Sequence, residues 1–269
     1  MSIKLVAIDI DGTLLNSERK LTTEVKAAVK KATDQGVNII LATGRPTIGV
    51  IPLIQELGLE NDHSFVVTYN GALVQNAGTK EILVEHGLTF DDYLEIEYLS
   101  RKLGVHFHVQ DHDRMYTANR DISEYTIEEA TLTGIPLSYR SVDEMTPDMH
   151  IIKSMMIDHQ ELLDAAIKQV PKDYQERFAM VKSAPYYYEV LNKQATKGAA
   201  VKELSELLKI KPEEVMTLGD NENDLTMIEF AGLGVAMGNA VPAVKEIANK
   251  ITKTNDEHGV AYAINEWVL

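Results

Sequence analysis

The chain is expected to fold as an α/β protein: a Rossmann-like core on a parallel sheet, interrupted by an inserted α+β domain. Three observations give that reading. The first and last thirds alternate short apolar runs with amphipathic stretches at the spacing of βαβ units. The middle third carries strands of alternating polarity, the pattern of an antiparallel sheet with one covered face. At 269 residues the chain is long enough for one large or two modest domains.

The elements follow in order. Leu5 to Ile8 is apolar throughout, as for a parallel strand covered on both faces. Thr22 or Thr23 can cap a helix whose stripe is Val25, Ala28, Val29 and Ala32, with Gly36 ending it. Val37 to Ala42 is the next strand. A helix over Pro46 to Leu57, stopped by Gly58, and a third strand over Phe65 to Tyr69 follow. Leu73 to Asn76 and Glu81 to His86 read as a hairpin leaving that sheet.

Beyond it, Val105 to Val109, Arg114 to Ala118, Leu137 to Arg140, Ile151 to Ile157 and Phe178 to Leu191 read as strands. Helices are expected at about Asp91–Leu103, Ile122–Thr133 and Gln160–Gln169. The last third returns to the first pattern. Lys197–Leu208, Leu225–Phe230, Ala243–Asn249 and Tyr262–Trp267 are helical, with strands at Val215–Leu218 and Gly234–Met237. The core is thus expected over 1–86 and 190–269, and the inserted domain over 87–189.

Composition narrows the function. Apolar residues make up 45% and charged residues 25%, ordinary for a soluble globular protein. No apolar run approaches the length of a membrane span. The start, Met-Ser-Ile-Lys-Leu, enters a strand directly and does not read as a signal peptide. With no cysteine, disulfides and thiolate chemistry are excluded. A cytoplasmic location is the expectation. The net charge of −15 argues against nucleic acid, whose binding depends on Lys and Arg neutralising phosphates. An anionic substrate would need a local lysine or a metal to reverse that field.

Chemistry concentrates at strand ends. Asp9 closes the first strand in Asp9-Ile10-Asp11-Gly12-Thr13, and ligands bind at the carboxyl ends of strands in open α/β sheets. Two carboxylates so near one another call for a cation or a shared proton, and Mg²⁺ suits hard oxygen ligands. Gly12 permits the turn, and Thr13 has a hydroxyl to tie it. Thr43-Gly44-Arg45-Pro46 closes the second strand, where a hydroxyl and a glycine amide ahead of a helix can cradle phosphate. Lys197 opens a helix where the chain re-enters the core, and a cation there would hold phosphate and offset the aspartates. Gly219-Asp220-Asn221-Glu222-Asn223-Asp224 repeats the first arrangement at the tip of another core strand. Asp220 can ligate metal, while Asn221, Asn223 and Asp224 can ligate or orient.

Taken in order, these four pieces resemble motifs one to four of the haloacid dehalogenase (HAD) superfamily of phosphotransferases. The long interval between Thr43 and Lys197 resembles the Cof-type branch, which carries a large α/β cap there, as does Tyr69-Asn70-Gly71-Ala72. Within it the likeness is to bacterial sugar-phosphatases.

The resemblance implies that Asp9 is a nucleophile forming an aspartyl phosphate, and that Asp11 is the acid protonating the leaving oxygen. It implies Mg²⁺ on Asp9, Asp11 (through its backbone carbonyl) and Asp220. Ile10, Thr43, Gly44, Lys197 and Asn223 would bind phosphate, and the cap would select a small phosphorylated metabolite. The charge of Asp9 is expected to keep Asp11 partly protonated.

His106 and His108 share one face of a strand expected in the cap, with His112 in the turn after it, so a transition-metal site there is conceivable. Such a pair on a polar strand face is more commonly plain surface. Substrate contact from this strand, Asn119 or Arg120 is an alternative. Two other functions stay open: a phosphomutase or phosphotransferase on the same core, and a non-catalytic phosphometabolite-binding protein. A redox Rossmann domain fits poorly, because the first turn lacks Gly-x-Gly-x-x-Gly.

Overall fold

A computed structural model describes residues 2–269. The chain divides into two compact units, Met1–Arg45 with Val50–Val84 and Thr196–Leu269, and Pro46–Gly49 with Glu85–Ala195. The architecture is the expected α/β core with an inserted α+β domain.

The first unit runs β1 (Leu5–Asp9), α1 (Thr23–Asp34), β2 (Asn38–Ala42), α2 (Ile51–Leu57), β3 (Ser64–Thr68), β4 (Leu73–Asn76) and β5 (Ile82–Glu85). Three strands from the C-terminal third, β12 (Val215–Gly219), β13 (Leu233–Ala236) and β14 (Lys250–Ile251), join its sheet, which is ordered β14-β13-β12-β1-β2-β3-β4-β5. β1 pairs in parallel with β2 on one side and with the strand at Val215–Gly219 on the other. The strand order therefore reverses beside β1, the place where open α/β sheets bind ligands.

Both faces of β1 are covered, which is why it reads as an unbroken apolar run. Val6 and Ile8 pack with Val25, Val29 and Ile264, while Leu5 and Ala7 pack with Ala200, Val201 and Met227. Burying four such side chains contributes on the order of 1.5–3 kcal/mol for each large one. The Thr22 side chain accepts from the Val25 amide and caps α1, whose stripe of Val25, Ala28, Val29 and Ala32 is buried.

Two local expectations are corrected. The helix expected over Pro46 to Leu57 is a 3₁₀ turn at Thr47–Gly49 followed by α2. Pro52 explains the break: its ring is tolerated only in a first helical turn. The hairpin does not leave the sheet. β4 returns antiparallel on β3, in register from Thr68↔Leu73 to Phe65↔Asn76, and β5 follows as the edge strand. The reversal at Tyr69–Gly71 uses positive φ at Asn70 (57°) and Gly71 (106°), and Leu73 and Val74 stay buried.

The second unit contains α3 (Phe90–Leu103), β6 (His106–Gln110), β7 (Met115–Thr117), α4 (Glu124–Thr133), β8 (Leu137–Tyr139), β9 (Lys153–Ile157), α5 (Gln160–Ile167), α6 (Lys172–Arg177), β10 (Phe178–Ala184) and β11 (Tyr187–Asn192). Its six-stranded sheet, β10-β11-β9-β6-β7-β8, is antiparallel except for β7 and β8. The stretch Phe178 to Leu191 is two strands, turning at Pro185 and Tyr186. The Phe107 and Val109 face packs with Ile96, Leu99, Met156 and Leu163 in a core of its own.

The chain then completes the first unit with α7 (Lys197–Leu207), β12 (Val215–Gly219), α8 (Leu225–Phe230), β13 (Leu233–Ala236), α9 (Pro242–Ile247), β14 (Lys250–Ile251) and α10 (Gly259–Trp267). Among the described residues, no helix is long and apolar enough to cross a membrane.

Candidate active site

Parallel pairing of β1 with β12 brings Asp9 and Asp220 to one edge of the sheet. Asp9 ends β1 and is 5% exposed; Asp220 follows Gly219 at the end of β12. Lys197, fully buried at the start of α7, stands between Asp9 and Asp224. Its Nζ donates to Asp9 Oδ1 at 2.5 Å and to Asp224 Oδ1 at 2.7 Å. The second oxygen of Asp224 accepts from the Asp220 amide at 2.9 Å and the Asn221 amide at 3.0 Å. Asp224 thus fixes the lysine and the loop that carries Asp220. Asn221 caps the short turn after that loop by accepting from the Glu222 amide at 2.8 Å.

One carboxylate oxygen from each of Asp9, Asp220 and Asp224 lies within 4.8 Å of the others. Three acids around one lysine leave a deficit of positive charge. Burial pushes the Asp9 carboxyl up to about 8, against the opposing pull of Lys197. Burial also raises Asp220, against the Thr13 hydrogen bond. Burial alone would lower Lys197, but the charges of Asp9 and Asp224 outweigh it and raise the ammonium above its usual range.

The turn after β1 is tied from several directions. Thr13 Oγ1 donates to Asp220 Oδ1 at 2.9 Å, so this hydroxyl ties two strand tips together as well as its own turn. Asn239 Nδ2 donates to the Gly12 carbonyl at 2.8 Å, and Asn255 Nδ2 to the Leu15 carbonyl at 2.9 Å. Gly12 has φ +83°, and a Cβ there would sit 2.5 Å from Asp220 Oδ2. Beside this turn a cleft of about 500 Å³ is lined by Asp11, Asn16, Arg19, Asn239 and Asp256.

The Asp11 side chain lies outside the cluster of three carboxylates. It is 52% exposed and grips Arg45 bidentately, Nε to Oδ2 at 2.8 Å and an NH2 to Oδ1 at 2.6 Å. Any role for Asp11 at a metal therefore falls to its main chain.

The remaining residues fall at the same sheet edge. Thr43 is buried just after β2; its amide donates to the Val67 carbonyl at 2.8 Å, and its hydroxyl accepts from the Arg45 amide at 3.1 Å. A Cβ on Gly44 would lie 3.0 Å from the Asn70 side chain, so glycine admits that neighbour. Asn223 Nδ2 donates to Asn70 Oδ1 at 3.1 Å. The Ile10 side chain is buried in the core behind the turn. Sequence reasoning gave no role to Arg45, Asn70 or Asn239. For Arg45 a signal existed, a cation next to Thr43 and Gly44 in a chain with two acids to neutralise.

His106, His108 and His112 do not converge on one another. His106 Nδ1 pairs with Asp158 at 2.7 Å, and His108 is wholly buried with Nδ1 3.4 Å from the Thr126 hydroxyl. His112 turns to Glu85. Asn119 accepts from the Phe107 amide at 2.8 Å, and Arg120 lines a separate cleft of about 710 Å³.

A family model described as haloacid dehalogenase-like hydrolase matches residues 6–264. The chain belongs to that family. It is 50% identical over 266 residues to a Bacillus subtilis protein named "Putative phosphatase YxeH", covering 99% of this chain and 98% of the relative. It is 33% identical to the 5-amino-6-(5-phospho-D-ribitylamino)uracil phosphatase YcsE of Bacillus subtilis, over 100% of this chain and 97% of the other. A haloacid dehalogenase-like hydrolase from Bacteroides thetaiotaomicron superposes with a TM-score of 0.86 at 32% identity, over 98% and 99% of the two chains.

Proposed function

We propose that this haloacid dehalogenase-like protein is a Mg²⁺-dependent phosphatase of small phosphorylated metabolites, sugar phosphates foremost, working through an aspartyl phosphate on Asp9. The observation that carries the reading is the buried lysine held between Asp9 and Asp224, with Asp220 in the same cluster. The ribityl phosphate ester named for the YcsE relative supports a polyol-phosphate substrate.

The donor set fits Mg²⁺: gathered carboxylate oxygens, too little positive charge, and an Asp9 carboxyl that burial holds up near 8. Asp9 and Asp220 would hold the ion with the Asp11 carbonyl, while Asp224, whose oxygens are already engaged, orients the cluster. Bound there, Mg²⁺ supplies charge neutralisation for the phosphoryl oxygens and keeps Asp9 ionised.

The chain's own groups do the rest. Asp9 attacks phosphorus in line, forming the Asp–phosphorus bond as the bond to the leaving oxygen breaks. Lys197, the Thr43 hydroxyl, the Asn223 amide group and the backbone amides of Ile10 and Gly44 stabilise the transferred group. Asp11, once it has released Arg45, protonates the leaving oxygen. Arg45, once released, is a cation available to the incoming phosphate ester. A water then cleaves the aspartyl phosphate and Asp11 accepts its proton.

The test is a panel of phosphorylated sugars, polyols and p-nitrophenyl phosphate assayed by phosphate release with Mg²⁺, after chelation and after readdition. Asp9→Asn should abolish release with the far-UV spectrum unchanged. Turnover that persists in that variant would end the covalent reading. Isomer formation in place of released phosphate would favour a mutase.

A further inference from the structure

A second cluster of ligating side chains lies wholly within the second unit. Glu85 is the last residue of β5 and the first of that unit after the chain leaves the parallel core. Its Oε2 is 2.9 Å from His112 Nε2, and its Oε1 is 2.8 Å from His150 Nδ1. The two imidazoles stack with centroids 5.4 Å apart. One oxygen and two ring nitrogens, one from each residue, lie within 4.8 Å of one another.

The backbone around all three is set independently of that carboxylate. Asp111 Oδ1 accepts from the Asp113 and Arg114 amides at 2.8 and 2.7 Å, which fixes the tight turn that presents His112. Leu88 and Ile151 form an antiparallel bridge, with the Leu88 amide 2.7 Å from the Ile151 carbonyl, and His150 directly precedes that bridge. A Cβ on Gly87 would lie 3.0 Å from the Ile151 carbonyl, so glycine lets the two segments run side by side. Asn192 Nδ2 holds the Gly87 carbonyl at 2.9 Å. Glu85 and His150 are thereby delivered from two tied segments, and His112 from a third.

We infer that Glu85, His112 and His150 form a second metal site, taking a borderline transition-metal dication of the zinc class. Two imidazole nitrogens and one carboxylate match the donors zinc uses in sites that keep a position open for water. The all-carboxylate cluster at Asp9 suits a hard ion, so the two sites sort different metals by donor chemistry. On binding, each ring presents a lone pair to the metal where it now faces the carboxylate, keeping its one remaining proton on the other nitrogen. The bound ion staples the segment entering the second unit to the β6–β7 turn and to the irregular segment just before β9.

The test uses the full chain in millimolar Mg²⁺, which keeps the carboxylate cluster filled, with Zn²⁺ as the added probe. Competition against a chromogenic chelator should show one equivalent bound, and Co²⁺ in its place should give the visible absorption of a low-coordinate nitrogen-ligated site. His150→Ala alters an exposed side chain, so its fold is kept, and it should weaken zinc by roughly a hundredfold or more, as should Glu85→Gln. Asp220→Asn should leave the zinc equivalent unchanged. Zinc binding that is absent from the Mg²⁺-loaded protein, survives His150→Ala, or disappears with Asp220→Asn would overturn the assignment.

Discussion

Replacing Gly12 with alanine isolates how tightly the turn after β1 is fitted to Asp220. Two costs arise at different places. Alanine at φ +83° is strained by about 1–3 kcal/mol wherever it sits. The new Cβ would lie 2.5 Å from Asp220 Oδ2, whereas ordinary contact begins at 3.4 Å, so the carboxylate must retreat by the difference of about 0.9 Å. Thr13 holds that same carboxylate at 2.9 Å, so the retreat strains a second hydrogen bond. A misplacement near 1 Å at a reacting centre can cost about a hundredfold in rate. The expected result is a fall in kcat of that order with a weaker response to Mg²⁺, measured by phosphate release across a Mg²⁺ titration. Gly36→Ala is the control, since Gly36 has φ +82° and nothing within 4 Å of its Cβ position. It should lose similar stability and keep its kcat. Gly12→Ala turning over like the parent, or Gly36→Ala losing as much activity, would refute the fitted-turn argument.

Two further outcomes are expected. Asp224→Asn keeps the shape but removes a charge from a buried pair, and should cost about 3 kcal/mol in denaturant unfolding along with most of the activity; unchanged stability would show that Lys197 needs only Asp9. His108 is wholly buried and desolvation lowers it to about 3 from 6.5. The unfolded chain therefore takes up a proton that the folded one refuses. Stability should fall as pH drops from 6.5 towards 3, by at most roughly 5 kcal/mol. His108→Leu should flatten the unfolding midpoint between pH 7 and 4; the same slope in both proteins would assign acid sensitivity elsewhere.

Much of this was legible because burial writes itself into local pattern. β1 and β12 are apolar runs since both their faces are covered, and α1 shows its stripe because one face is. Asp9, Lys197 and Asp220 were legible by a different route, each standing at a strand end or helix start in a fixed order along the chain. What stayed hidden depends on partners remote in sequence. Thr13 looks like a local turn residue until Asp220, 207 positions away, arrives beside it. Nothing in Asp11 itself announces Arg45, 34 residues on. Glu85 and His150 are 65 apart, and neither resembles a ligand alone. A very short element escaped too: β14 has only two residues, too few for a period to emerge.

The placement of β1 inside its sheet has a bearing on synthesis at the ribosome. Its partner on one side is made promptly, but its partner on the other begins at Val215, with the whole inserted unit translated in between. At roughly 5–20 residues per second, that delay is on the order of 10–40 s. Residues 85–195 form a unit of their own with a core that can be completed while the nascent chain still waits for β12. The N-terminal strand is therefore among the first segments made and among the last to be flanked on both sides.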